Sequence, residues 1–141
     1  MDLSYLITPF FAWLVAGSTK FAINTIRAKH LAFDLIGYGG LPSNHSSIVS
    51  SAVAIIVFKN GFQEPALVVA LALAFVVILD ASSLRKQVGE HAKAINVMDK
   101  HRVGNSLRER IGHSGLEILT GIATGIASAW CVHCVFTVSI M

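Results

Sequence analysis

The chain has 141 residues, of which 54% are hydrophobic and only 13% are charged, with a formal net charge of +3. A water-soluble domain carries about 25% charged residues, so this composition excludes an ordinary soluble domain and indicates a protein embedded in a lipid bilayer. The net charge is too small to indicate a nucleic-acid partner. We therefore expect one compact membrane-embedded domain over residues 1–141.

Four apolar segments are candidate membrane spans, because a spanning helix needs about 20 apolar residues. In chain order they are roughly Leu3–Thr19, Ser46–Gln63, Pro65–Leu79 and Leu116–Ile140. The third is short unless Asp80 and the two residues after it extend the helix at the interface. Gly61 and Pro65 separate the second span from the third, which is typical of a tight helical hairpin.

The segment Ser82–Met98 has the pattern of an amphipathic helix. Its apolar positions recur near the 3.6-residue period, at Leu84, Val88, Ala92 and Ile95. We expect this helix to lie along the membrane or against the bundle, followed by a polar loop at Asp99–Asn105. The predicted fold class is all-α: an integral membrane bundle of about four transmembrane helices with one or two interfacial amphipathic helices.

Two polar segments each place a histidine at the start of a span. A glycine-proline turn leads into Ser43, Asn44 and His45 before the second span, and His113 and Glu117 stand at the start of the fourth. Hydroxyls, imidazoles and free backbone N–H groups at a helix start suit an anion such as phosphate. If every span crosses the membrane, both segments face one compartment. The candidate cations there are Lys20, Arg27, Arg85, Lys86, Arg108 and Arg110.

This set of side chains predicts phosphate-ester cleavage by a histidine nucleophile. Glu117 follows His113 by four residues, so the two share a helix face, and an acceptor on one ring nitrogen leaves the other free to attack. His45 is then placed to protonate the leaving oxygen. No cluster of carboxylates faces the phosphate, so we expect neither a metal nor another cofactor.

Three separated motifs carry a resemblance to a known family. Residues 39–46, 79–86 and 108–117 resemble, in order, the divergent branch of the type 2 phosphatidic acid phosphatase family, which is related to acid phosphatases and vanadium-dependent haloperoxidases. The resemblance implies hydrolysis of a lipid phosphate, of the phosphatidylglycerophosphate, phosphatidate or polyprenyl phosphate or diphosphate class. It also implies the site residues: catalytic His113, His45 and Glu117, with Lys20, Ser43, Asn44, Arg85 and Arg108 on the phosphate.

The chain departs from the mainstream pattern of that family at several positions. Asn44 stands where the mainstream motif has glycine, and Glu117 stands where it has aspartate. Arg108 precedes His113 by one residue fewer than the pattern requires, so Arg85 is an alternative source of the guanidinium. Ala28 follows Arg27 where the family has proline.

Other interpretations stay open at this stage. A non-catalytic phospholipid-binding protein needs the cations but not the His–Glu pair, and a small transporter more often shows polar positions in mid-span. Cys131 and Cys134 flank His133 like half of a zinc site, but no second cysteine pair exists, so packing is the preferred interpretation.

The distribution of lysine and arginine predicts an orientation. Nearly all of them lie in segments 18–44 and 81–113. The positive-inside rule then predicts that the catalytic loops are cytoplasmic, in a protein of the bacterial inner membrane. A homo-oligomer is compatible with the sequence.

Overall fold

The computed structural model describes residues 3–31, 40–98, 106–109 and 111–138, and every regular element in these ranges is helical. The helices are α1 Ser4–Ala28, α2 Asn44–Asn60, α3 Pro65–Leu79, α4 Arg85–Met98 and α5 Gly115–Val138, with a π-helical turn Asp80–Leu84 between α3 and α4. The predicted all-α membrane bundle is confirmed. Among the described residues, three stretches are long and apolar enough to cross a membrane: Ser4–Ala28, Pro65–Met98 and Gly115–Val138.

Helix α1 is longer than the sequence analysis predicted. It continues past Thr19 to Ala28 and ends where Lys29 adopts a left-handed conformation, φ 58°. Because no glycine or proline interrupts Lys20–Ala28, nothing in that stretch stops the helix. Lys20 and Arg27 therefore lie on α1. From the sequence we had expected them in the polar segment after the first span.

Helix α2 forms the centre of the bundle and packs against α1, α3 and α5. It has 17 residues, which is the lower end of the range for a helix that spans the bilayer. Four serines of its first two turns are buried, and the Ser47 hydroxyl donates to the Gly121 carbonyl of α5 at 2.8 Å. A side chain at Gly121 or Gly125 would overlap with the backbone or serine side chains of α2. Small residues thus bring the two backbones close together, as is typical of helix pairs in membranes.

The third span and the amphipathic helix form one continuous helix of 34 residues, Pro65–Met98. The predicted end of the span at Leu79 is confirmed, and its extension through Asp80–Leu84 takes the form of a π turn. The amphipathic segment is helical as predicted, but it is not a separate helix, because no breaker stands between Leu79 and Arg85. The predicted loop 99–105 and the predicted end at Ile140 lie outside the described residues.

Candidate active site

Helix α5 begins with a capping box that also holds His113. The Glu117 amide donates to Ser114 Oγ at 3.3 Å, and the Ser114 amide donates to Glu117 Oε2 at 3.1 Å. The same carboxylate oxygen lies 3.0 Å from His113 Nδ1. Because Glu117 is fixed at its own helix start, it binds the proton-bearing Nδ1 of His113 and leaves Nε2 as the free lone pair.

The backbone of His113 is held from the other side by the π turn. Its amide donates to the Ala81 carbonyl at 3.0 Å. One turn further along, Arg85 Nε donates to Asp80 Oδ2 at 2.8 Å. Asp80, to which no partner was assigned from the sequence, thus orients the Arg85 guanidinium toward α2.

His45 lies opposite His113 in the first turn of α2. The two ring centroids are 6.1 Å apart, with the rings tilted by 53°. Arg85 Nη2 lies 3.5 Å from His45 Nε2, a long contact in which the guanidinium donates to a neutral imidazole. His45 Nδ1 and Asn44 Oδ1 are buried without a hydrogen bond in the described part of the chain.

The start of α2 also exposes backbone donors to the same space. Ser43 is the N-cap, and the amides of Ser46 and Ser47 bond to its hydroxyl and carbonyl oxygens at 3.3 and 3.0 Å. Helix geometry leaves the amides of Asn44 and His45 without intrahelical acceptors. Together with the positive end of the helix dipole, they form a surface suited to an anion.

The electrostatic surroundings of His45 disfavour its protonated form. His45 lies outside the three spanning stretches. Burial is the largest cause that lowers its pKa below the ordinary value, and the positive charge of Arg85 lowers that pKa further. His113 and Lys20 act in the same direction, whereas Asp80 acts against them. In the free protein these charges favour a neutral imidazole, and an arriving phosphate dianion would favour its protonation.

The structure brings together most, but not all, of the predicted phosphate ligands. Lys20 is half-buried on α1 beside Gly40, and its charge interacts with both His45 and Glu117. Arg85 borders His45 as described, whereas the Asn44 side chain lies against α1, where a Cβ at Gly17 would be 3.8 Å from Asn44 Nδ2. Arg108 is exposed in the 106–109 segment, which favours Arg85 as the guanidinium beside His45.

Three further candidates remain: Ser43, Arg27 and Arg110. Ser43 is fully buried against Gly121, and its hydroxyl accepts from the amide and hydroxyl of Ser46. This supports its role as a helix cap, while its contact with phosphate stays a prediction. Arg110 lies outside the described residues, and Arg27 is exposed near the end of α1.

Asp80 and Ser114 support the site, although neither was predicted to do so from the sequence. The signal for Ser114 was present, because Ser-x-x-Glu before an apolar run is the signature of a capping box. The signal for Asp80 was not, since the pairing with Arg85 at a separation of five depends on the π turn. Among the described residues, no group of three or more His, Cys, Asp and Glu side chains could hold a metal ion.

Known proteins resemble this chain over most of its length. A family model described as "Divergent PAP2 family" matches residues 1–128. A curated relative, the uncharacterized membrane protein YuiD of Bacillus subtilis, is 28% identical over 139 residues, covering 86% of this chain and 88% of the relative. No solved structure matches the chain.

Proposed function

Since the chain belongs to the divergent PAP2 family, we propose that this integral membrane protein is a lipid phosphate phosphatase that acts through a phosphohistidine on His113, with residues 1–141 as a single phosphatase-like domain. The observation that carries the proposal is the hydrogen bond of 3.0 Å between His113 Nδ1 and Glu117 Oε2, beside a second histidine. A non-catalytic anion site has no use for an imidazole whose lone pair is directed by a fixed carboxylate.

In the first half of the reaction, His113 Nε2 attacks the phosphorus atom. The bond between phosphorus and the lipid oxygen breaks, and the leaving oxygen takes a proton from His45. The dianionic substrate supplies the negative charge that raises the proton affinity of His45 above its value in the free protein. Glu117 stabilises the positive charge that develops on the His113 ring.

In the second half, water attacks the phosphohistidine and the nitrogen–phosphorus bond breaks. His45, now neutral, accepts the proton of the water as general base. Lys20 and Arg85 neutralise the charge on the equatorial phosphate oxygens, and the amides of the first turn of α2 add donors. No step in this scheme needs a metal ion, since the positive groups are all side chains and backbone.

The surroundings of the site favour a substrate that is itself a lipid. The histidines lie at the end of an apolar bundle, so a phosphate head group reaches them while its hydrocarbon tail stays in the bilayer. The substrate class that we infer is phosphatidylglycerophosphate, phosphatidate or a polyprenyl phosphate or diphosphate. We place the protein in the bacterial inner membrane with the catalytic segments in the cytoplasm, from the distribution of lysine and arginine.

Two rival functions lack the histidine chemistry: a non-catalytic phospholipid-binding protein and a small transporter. The deciding experiment is phosphate release from a panel of lipid phosphates by the purified protein in detergent. We expect turnover that survives EDTA and is inhibited by orthovanadate, because a vanadate held by an imidazole resembles the transferring phosphoryl group. Binding of the lipids without any phosphate release would favour the binding protein, and strict dependence on added magnesium would contradict the mechanism.

A further inference from the structure

We propose that α4 is a template that positions His113, and that Asn96 is the positioning residue at its far end. Residues 106–109 and 111–113, which we call the strap, run back along α4 and end at the histidine. The catalytic part of this inference rests on the proposed function, whereas the positional part does not. Arg110 lies outside the described residues.

The far end of the strap is fixed by the Asn96 side chain. Asn96 Nδ2 donates to the Leu107 carbonyl at 2.8 Å, and the Leu107 amide donates to Asn96 Oδ1 at 2.8 Å. Asn96 Nδ2 also donates to Glu109 Oε1 at 2.9 Å. One amide thus satisfies both backbone groups of Leu107 and fixes the strap in position along α4, because all three contacts have good hydrogen-bond lengths.

The middle of the strap lies against the backbone of α4 itself. Gly89 is buried, and a side chain there would overlap with the Glu109 carbonyl oxygen. Gly112 adopts a φ of +106°, and a Cβ on it would lie 3.1 Å from the Lys86 amide nitrogen. Both glycines are therefore needed for the close approach.

The near end of the strap is the catalytic histidine. The His113 amide bonds to the Ala81 carbonyl at 3.0 Å, so the strap is tied to the helix at both ends, from Asn96 to Ala81. The His113 side chain is only 9% exposed. Glu117 orients the ring, and α4 sets where the backbone that carries the ring is placed.

The test compares Asn96→Ala and Gly89→Ala with the matched control Gln87→Ala. Gln87 is an exposed amide of the same helix, about 180° around the axis from Asn96 by helix periodicity. Gly89→Ala improves helix propensity, so it moves the strap without weakening α4. Each full-length protein is purified in detergent, its thermal unfolding is recorded, and all assays are run well below the transition.

Two measurements are made on each variant. The first is the rate at which diethyl pyrocarbonate modifies His113, with the exposed His30 of α1's C-terminal region as internal reference. The second is kcat and KM for a lipid phosphate. We expect Asn96→Ala and Gly89→Ala to raise the His113 modification rate at least about fivefold and to lower kcat at least about tenfold, because small misplacements of reacting groups are costly. KM should change less than about twofold, since Lys20 and Arg85 lie outside the strap.

If Asn96 contributes to stability alone, Asn96→Ala will lower the unfolding temperature and leave His113 reactivity and kcat unchanged. That result overturns the proposal. If the wild type releases no phosphate but the His113 reactivity responds as expected, the proposed function fails and the positional role stands. A rescue adds a further check. Asn96→Asp places two carboxylates together, and the added change Glu109→Gln replaces that repulsion with a hydrogen bond, so the double variant should recover part of the lost kcat.

Discussion

The two ends of the bundle both carry a partly buried histidine, but only one end surrounds it with charge. His113 stands before α5 with its Nδ1 3.0 Å from Glu117. Twenty residues later on the same chain, His133 packs against the rings of Phe58 and Trp130, at centroid distances of 5.9 and 6.1 Å. Its Nδ1 is buried and has no hydrogen-bond partner among the residues that the structure describes.

The difference originates four residues further along the helix in each case. After His113 that position is Glu117, whose carboxylate binds the ring. After His133 it is Thr137, whose hydroxyl donates to the His133 carbonyl at 2.8 Å. The imidazole is the same in both places, so the neighbouring acceptor and the cations of the site decide which histidine is suited to attack phosphorus. His133 instead packs with aromatic rings.

The largest effect that we expect separates the two histidines directly. His113→Ala should lower kcat at least about a thousandfold, because it removes the nucleophile. His133→Ala should leave kcat within about threefold and lower the unfolding temperature, since it removes aromatic contacts worth about 1 kcal/mol. Phosphate release and thermal unfolding in detergent measure both. Substantial turnover by a folded His113→Ala protein would remove the mechanism.

A second prediction separates orientation of the ring from capping of the helix. Glu117→Gln should lower kcat about a hundredfold, because the amide cannot stabilise the charged ring, while the cap is retained since glutamine also serves in a capping box. Ser114→Ala should behave oppositely. It costs about 1 kcal/mol of helix stability and leaves kcat within about threefold, because the Ser114 amide still holds the carboxylate. Equal losses of kcat in the two variants would show that Glu117 acts only as part of the helix cap.

The smallest effect that we expect is a shift in the pH dependence of kcat/KM. It reports on the charges around His45, at the charged end of the bundle. If His45 acts as its protonated form, kcat/KM falls as pH rises through the pKa of His45. Asp80 raises that pKa, so Asp80→Asn should move the falling limb to lower pH. Arg85 lowers the same pKa, so Arg85→Gln should move the limb to higher pH, whatever it does to KM. If the falling limb moves in the same direction in both variants, the assignment of His45 as the acid is contradicted.

Much of this fold was predictable because apolar length and punctuation are local properties. The start of α3 at Pro65 and its end at Leu79 followed from composition and from the glycine and proline before it. The extension of α1 to Ala28 was not predicted, since hydropathy falls at Lys20 although helix propensity does not. Hydropathy marks where lipid ends, and a helix is free to continue beyond it.

Contacts within the site were likewise predictable when they depend on a short spacing along one helix or on the side of the membrane. Contacts that depend on irregular backbone were not. The pairing of His113 with Glu117 followed from a spacing of four on one helix. The approach of His45 to His113 was expected from two helix starts on one side of the membrane, and the structure brings the rings together. The partnership of Arg85 with Asp80, and of Asn96 with Leu107, could not be predicted, because the first depends on an irregular turn and the second on a chain reversal.

The π turn at Asp80–Leu84 has a consequence for how this chain tolerates changes of length. In an α-helix each residue advances the rotation by about 100°, whereas a π turn takes one residue more for each turn of the helix. Deleting one residue from this turn would therefore let it close as an α turn, and Arg85, Gly89 and Asn96 would keep their orientation relative to α3. The same deletion within α3 or α4 would rotate everything after it by about 100° and turn Arg85 or Asn96 away from its partner. The π turn is thus the place in this helix where a change of length by one residue is expected to be tolerated best.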